Sequence, residues 1–244
     1  MKTVVITGVG KGFGRELFLG LSRNYKLIGI TRNEDDCESL RKEIEPESTH
    51  HEIMCLDITD LGAIESKLLP VLEENKGSVY GLINNAGVRC RKGMLSLSLD
   101  EIKNVCEVNL FAPINLAKHM LPYFVSNNSG RIVNISSILS QSSLPELSAY
   151  AVSKAGLDGF TRSVTAEFAS AGITCNSILP GFCKTSYYPN FLKNSELYEM
   201  TLDKTPAGRW GEASELIGVC ELLLGQNGAY INGASIPVDG GWLS

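Results

Sequence analysis

The sequence predicts an α/β fold, a single doubly wound sheet of about seven parallel strands with helices on both faces. Two observations carry this expectation. Short, continuous apolar runs alternate with helix-length stretches of mixed polarity, and such runs mark strands buried on both faces. The first run leads directly into a glycine-rich turn and then an amphipathic stretch. Right-handed crossovers between such units build one sheet, with a crevice over the carboxyl ends of its strands.

The elements follow in chain order. The first strand is expected at 3–6, where Val4, Val5 and Ile6 are apolar. The turn Thr7-Gly-Val-Gly-Lys-Gly-Phe-Gly14 comes next, then the amphipathic run from Glu16 to Leu21. Strand, glycine turn and helix in this order provide the context of a dinucleotide-binding fingerprint, although Gly8, Gly12 and Gly14 are spaced more widely than G-x-G-x-x-G. Glycines let backbone approach a pyrophosphate, and a helix N-terminus offers unpaired N–H groups with the positive end of a dipole. Further strands are expected at 26–31, 51–56, 81–84, 131–136, 174–179 and 235–237, separated by helical patterns of about ten to thirty residues. One of these helices begins near Ser148, where small and apolar residues recur at helical spacing. Residues 182–210 are less regular, with Tyr187, Tyr188, Phe191 and Leu192 interrupting polar positions. No internal repeat, low-complexity tract or Pro/Ser-rich linker divides the chain, so residues 1–244 are expected to form one domain.

Composition narrows the function. Hydrophobic residues make up 43% and charged residues 20%, as in ordinary water-soluble domains. A net charge of −5 argues against nucleic acid or an anionic membrane as partner. No apolar run is long enough to span a bilayer. Met1 to Ile6 resembles the start of a signal segment, but the glycine turn interrupts it and no cleavage site follows. The seven cysteines are odd in number and scattered, without C-x-x-C, which favours buried thiols in a reduced, cytoplasmic protein. His50, His51 and His119 lack metal-ligand spacing, so no metal is expected.

Tyr150 and Lys154 carry the chemistry. At i and i+4 they project from one face of the expected helix. A neighbouring ammonium favours the phenolate and lowers the tyrosine pKa from about 10. Such a phenol can give a proton to a carbonyl oxygen or take one from an alcohol.

These landmarks, taken together, resemble the short-chain dehydrogenase/reductase family. Thr7, Gly8, Gly12 and Gly14 match its T-G-x-x-x-G-x-G, Asn84-Asn85-Ala86-Gly87 its N-N-A-G, and Tyr150 with Lys154 its Y-x-x-x-K. Ser137 stands about a dozen residues before Tyr150, where the family has its active-site serine; Asn109, Pro180-Gly181 and Thr185 match further landmarks. The matches run in family order along nearly the whole chain. The resemblance implies a Rossmann-type catalytic domain with Asn109, Ser137, Tyr150 and Lys154 as the catalytic set. Tyr150 would be the acid in reduction, Lys154 would tune it and hold the nicotinamide ribose, Ser137 would bind the substrate oxygen, and Asn109 would hold a proton-relaying water. Implied cofactor contacts are Thr7, Gly8, Gly10, Lys11, Gly12, Phe13 and Gly14 of the turn, then Arg32, Asp57, Ile58, Asn85, Ala86 and Gly87, Tyr150 and Lys154, and finally Pro180, Gly181, Cys183 and Thr185. Ser137, Leu139 and Tyr187 are implied substrate contacts, within a segment at about 182–210 that closes over the substrate.

Cofactor choice is read at the end of the second strand. An acid there selects NAD by binding the ribose 2′-hydroxyl. This chain has Thr31-Arg32-Asn33, with no carboxylate before Glu34. Arg32 can pair bidentately with a 2′-phosphate, and Lys11 can add a second positive charge, so NADP(H) is expected over NAD(H).

The tail motifs Gly208-Arg-Trp-Gly, Tyr230-Ile-Asn-Gly and Val238-Asp-Gly-Gly241 resemble the 3-oxoacyl-acyl-carrier-protein reductase branch. That branch commonly carries arginines to meet the acidic carrier where this chain has Asn128 and Ala171, which weakens charge steering of such a partner. The expected activity is therefore NADP(H)-dependent reduction of a ketone, a 3-oxoacyl thioester or similar carbonyl. Arg89, Arg91 and Lys92 leave open a small anionic, sugar or secondary-metabolite substrate, or are solvated loop charges. A cofactor-binding regulatory protein without turnover is the alternative from another class. The family's habit implies a homotetramer, or a homodimer.

Overall fold

The structure is a computed structural model and describes residues 1–44, 50–186 and 188–244. Tyr187, an expected substrate contact, lies outside the described residues. The seven strands of the main sheet are β1 (Thr3–Thr7), β2 (Lys26–Thr31), β3 (Glu52–Cys55), β4 (Val79–Asn84), β5 (Gly130–Ile135), β6 (Ile173–Pro180) and β9 (Ser235–Val238). Their order is β3-β2-β1-β4-β5-β6-β9, and every pairing is parallel. All seven expected strands form within a residue or two of their expected limits. The winding direction reverses between β1 and β4, which opens the crevice above their carboxyl ends.

Strand alternation divides the apolar residues between two cores. Val5, Ile28, Leu82 and Ile132 face one side and pack on Leu116, Met120 and Phe124 of the Ala112–Ser126 helix. Val4, Ile6, Leu27, Ile83 and Val133 face the other, against Leu17 and Phe18 of the Gly12–Leu21 helix and Leu223 and Leu224 of the Ile217–Leu224 helix. Both alternating sets are buried, and this is why the strands read as continuous apolar runs. Burying each Val, Leu, Ile or Phe side chain contributes about 1.5–3 kcal/mol toward offsetting the ordering entropy.

Helix starts are set by local chemistry. Ser98 Oγ accepts from the Glu101 N–H at 3.2 Å while Glu101 Oε2 accepts from the Ser98 N–H at 2.8 Å, a reciprocal capping box. The Leu99–Cys106 helix then widens into a π-turn, Glu107–Phe111, before continuing as Ala112–Ser126. A longer helix, Ser148–Phe168, packs beside it.

The irregular segment contains a two-stranded parallel ribbon absent from the sequence expectation, β7 (Cys183–Lys184) with β8 (Gly211–Glu212). Two strands of two residues are too short for any periodicity to register. Between them lie the Tyr188–Leu192 and Ser195–Asp203 helices, the second capped by Asn194 Oδ1 at 3.1 Å from the Leu197 N–H. Phe182, Phe191 and Trp210 fix this segment to the body, with Phe182 5.0 Å from Trp242 between ring centroids. Among the described residues no helix is long and apolar enough to cross a membrane.

Candidate active site

The glycine turn joins β1 to the Gly12–Leu21 helix above the crevice. Gly8 has φ +74°, and a Cβ there would stand 2.9 Å from the Ala86 backbone. A Cβ on Gly14 would stand 2.1 Å from the Gly8 carbonyl oxygen, so the turn closes onto the helix only with glycine at that position. The helix start has no acidic residue in its first turn and no side-chain cap from Lys11, leaving N–H groups directed at the cleft. Thr7 and Asn85 bind this turn to the loop after β4. Thr7 Oγ1 accepts from the Asn85 and Ala86 N–H groups, both at 3.0 Å, and Asn85 Nδ2 donates to the Thr7 carbonyl at 2.9 Å.

A cleft of about 380 Å³ runs from Arg32, Asp57 and Ile58 past the glycine turn to Ser137, Tyr150 and Lys154. Gly8, Gly10, Lys11, Gly12 and Phe13 line it, with Asn85, Ala86, Gly87, Pro180, Gly181 and Thr185. Three expected cofactor contacts are placed elsewhere. Thr7 is buried with its hydroxyl committed to the β4 loop, and Gly14 packs against Gly8 beneath the turn. Cys183 turns its thiol toward Gly211 and lines a second cavity. A β-strand sends successive side chains to opposite sides, so the short β7 ribbon directs Cys183 away from the cleft.

Tyr150 and Lys154 project from the first two turns of the Ser148–Phe168 helix and are buried. Lys154 Nζ donates to the Ile135 carbonyl at the end of β5 at 2.7 Å. Ser137 follows that strand, accepts from the Leu139 N–H at 3.1 Å, and shares a hydrogen bond with Tyr150. Burial alone would raise the Tyr150 pKa, but the Arg89 guanidinium, the Lys154 ammonium and the Ser137 hydrogen bond outweigh it and hold the phenol below its usual value. Burial likewise lowers Lys154, partly offset by Tyr150.

At the level of sequence Arg89 is grouped with Arg91 and Lys92, as cations open to a small anionic substrate or to solvent, with no link to Tyr150. Its guanidinium lies 5.0 Å from the centroid of the Tyr150 ring and hydrogen-bonds the phenol. Its only sequence signal was a cation two residues after Gly87. Asn109, at the π-turn, clamps the start of that loop. Its Oδ1 accepts from the Val88 N–H at 2.8 Å, while Nδ2 donates to the Val88 carbonyl at 2.9 Å and to Ser153 Oγ at 3.0 Å. Its amide thus joins the Arg89 loop to the helix that carries Tyr150.

The second cavity, about 190 Å³, adjoins the cleft, and Ser137 and Arg89 line both. Leu139, Leu147, Phe182, Phe191, Met200 and Trp210 give it apolar walls. Elsewhere, Glu34, Cys37 and Cys55 bring possible ligand atoms within 4.8 Å of one another. Burial first, and then the neighbouring thiol, pushes Cys37 up to about 11, and burial raises Cys55 too.

A doubly wound sheet whose glycine-turn cleft ends at a buried Tyr–Ser–Lys cluster defines an oxidoreductase of the dinucleotide-dependent class. The chain belongs to the short chain dehydrogenase family, whose profile matches residues 2–195. It is 31% identical over 241 residues to the 3-oxoacyl-acyl-carrier-protein reductase of Vibrio cholerae, covering 98% of this chain and 96% of that protein. It is 28% identical to the gluconate 5-dehydrogenase of Gluconobacter oxydans, covering 97% and 93%. The solved gluconate 5-dehydrogenase of Burkholderia cenocepacia, in complex with NADP and tartrate, matches with a TM-score of 0.92 at 27% identity, covering 99% of this chain and 95% of that one.

The glycine turn supplies a sharp test of this geometry. Gly14→Ala should reduce dinucleotide affinity at least about tenfold, because the methyl group can be accommodated only by opening the turn. Titration of intrinsic fluorescence with NADPH measures it; unchanged affinity would show that the turn does not shape the dinucleotide site.

Proposed function

We propose that the protein interconverts a ketone and a secondary alcohol with NADP(H) as its redox partner. One observation carries this reading: Ser137 and Arg89 belong to both cavities, so the proton-donating phenol stands where a dinucleotide cleft meets an apolar substrate cavity. The residues fit the dinucleotide. The turn has glycines where a Cβ would meet backbone, the helix start is free of acids, and Arg32 lines the far end of the cleft. When bound, the reduced nicotinamide supplies a hydride to the carbonyl carbon. Tyr150 gives its proton to the carbonyl oxygen, and Ser137 hydrogen-bonds the same oxygen as charge develops on it. Lys154 and Arg89 stabilise the phenolate left behind. Residues 182–210 close over the substrate, supported by the apolar wall that Phe182, Phe191 and Trp210 present to the cavity.

The relative solved with NADP supports the same cofactor here. At the adenosine end Arg32 and Lys11 stand with two carboxylates, Asp36 and Asp57, that also line the cleft. Arg32→Asp should weaken NADPH about ten- to hundredfold and leave NADH nearly unchanged, since a charge-assisted pair with the 2′-phosphate is lost. Equal loss for both cofactors would remove Arg32 from the 2′-phosphate site.

We place the protein in the cytoplasm, in keeping with its free thiols, as a homotetramer or homodimer. Phe111 and Val152, each more than half exposed on the long helices, support assembly through that face. The deciding experiment follows NADPH oxidation over neutral ketones, oxo acids, acetoacetyl thioesters and keto sugars. Turnover of any of them upholds the reading. NADPH binding without turnover across the panel would favour a regulatory protein.

A further inference from the structure

The three cations after Gly87 have different surroundings. Arg91 Nε donates to Glu146 Oε2 at 2.9 Å, and Lys92 Nζ to Glu101 Oε1 at 2.8 Å, both at partly exposed positions. Arg89 instead lines both cavities and reaches the Tyr150 phenol. A substrate whose ketone oxygen lies between Tyr150 and Ser137 therefore has a guanidinium beside the atoms one or two bonds from its reacting carbon. The cavity beyond is walled mostly by carbon; besides Arg89 its charged and hydroxyl lining is Arg91, already held by Glu146, with Ser137 and Thr185 at the mouth shared with or next to the cleft. Trp210 Nε1 already donates to Thr201 Oγ1 at 2.8 Å, and Leu139, Leu147, Phe182, Phe191 and Met200 present carbon.

We propose that the substrate is a small oxo acid, the carboxylate one or two carbons from the ketone held by Arg89 and an apolar substituent filling the cavity. This rests on the reductase reading and specifies its substrate. A guanidinium fork matches a carboxylate bidentately. A cavity of roughly 150 Å³ with apolar walls takes a benzene ring, and this one, about 190 Å³, suits a phenyl or branched aliphatic group. A sugar acid fits poorly, because its hydroxyls are spread along the chain and most would lose water against the carbon walls without gaining a partner. Arg89 thus separates substrates by charge, and the walls separate them by polarity.

The test uses the full chain with saturating NADP⁺ and calorimetric titration of 3-phenylpropanoate, 3-phenylpropanamide and gluconate. The carboxylate should bind about ten- to hundredfold more tightly than the amide, as expected for a charge-assisted hydrogen bond. Gluconate should bind more weakly than phenylpropanoate. Arg89→Met should remove the preference for carboxylate while leaving the amide unchanged, and Arg89→Lys should restore part of it. In turnover, phenylpyruvate should show a lower KM than 4-phenylbutan-2-one, and this gap should close in Arg89→Met. Equal binding of acid and amide, or an equal loss for both in Arg89→Met, would overturn the anion site. Gluconate binding as tightly as phenylpropanoate would overturn the apolar substituent. Carboxylate preference with no reduction of either ketone would uphold the Arg89 site and count against the reductase reading.

Discussion

Tyr150→Phe is expected to lower ketone reduction by about 10²–10⁴-fold, the range that general acid catalysis supplies, with NADPH affinity close to that of the unaltered protein. The substitution removes one oxygen and keeps the ring that packs with Ile138, Leu139 and Leu147. It removes the hydrogen bonds to Ser137 and Arg89 together with the transferable proton. Rates of NADPH oxidation, paired with direct cofactor titration, separate chemistry from binding. Substantial residual turnover would mean that another group protonates the oxygen, and the assignment of Tyr150 would be lost.

The backbone of this site was legible because its motifs are tied to main-chain geometry. Glycine at 8 and 14 is needed wherever Cβ would meet backbone, and Tyr150 with Lys154 share a helix face by spacing alone. The strands were legible for a related reason: with both faces covered, Val4 and Val5 are buried in opposite cores and the whole run is apolar. Contacts that depend on tertiary placement were not legible. Cys183 lies close in sequence to Pro180, Gly181 and Thr185, which do line the cleft, yet it lines only the other cavity, with its thiol toward Gly211. Asn109 stood out by its place in the chain. Its partners, Val88 and Ser153, are distant in sequence and come together only when the π-turn packs on the Ser148–Phe168 helix.

The contact of Arg89 with Tyr150 is the most consequential feature that the sequence did not show. Three cations within four residues look alike on paper, and only the fold shows that Glu146 and Glu101 engage two of them while the third reaches Tyr150. Its effect alters the electrostatic account. Sequence spacing assigns the lowering of the Tyr150 pKa to Lys154, whereas in the structure Arg89 and Lys154 both act, against burial. Activation of the phenol therefore depends partly on a loop side chain that also faces substrate.

That division leads to the second large effect, in Lys154→Met. The variant removes one of two cations beside the phenol and leaves the Ile135 carbonyl without its donor, a cost of about 1–3 kcal/mol in a buried setting. Reduction needs Tyr150 protonated, so its rate falls as pH rises through the phenol's lowered pKa; oxidation needs the phenolate and gains over the same range. Removing Lys154 raises that pKa, so both limbs should move to higher pH, and oxidation near neutrality should fall about a hundredfold or more. Arg89→Met should move the limbs in the same direction, since its charge acts on the same oxygen. Lys154→Met should also weaken NADPH, because Lys154 lines the dinucleotide cleft and is expected to hold the nicotinamide ribose. Profiles of kcat against pH for both directions, with cofactor titrations, distinguish these effects. A limb that stays fixed in Lys154→Met would assign the tuning of Tyr150 to Arg89 and Ser137, leaving Lys154 to hold the cofactor.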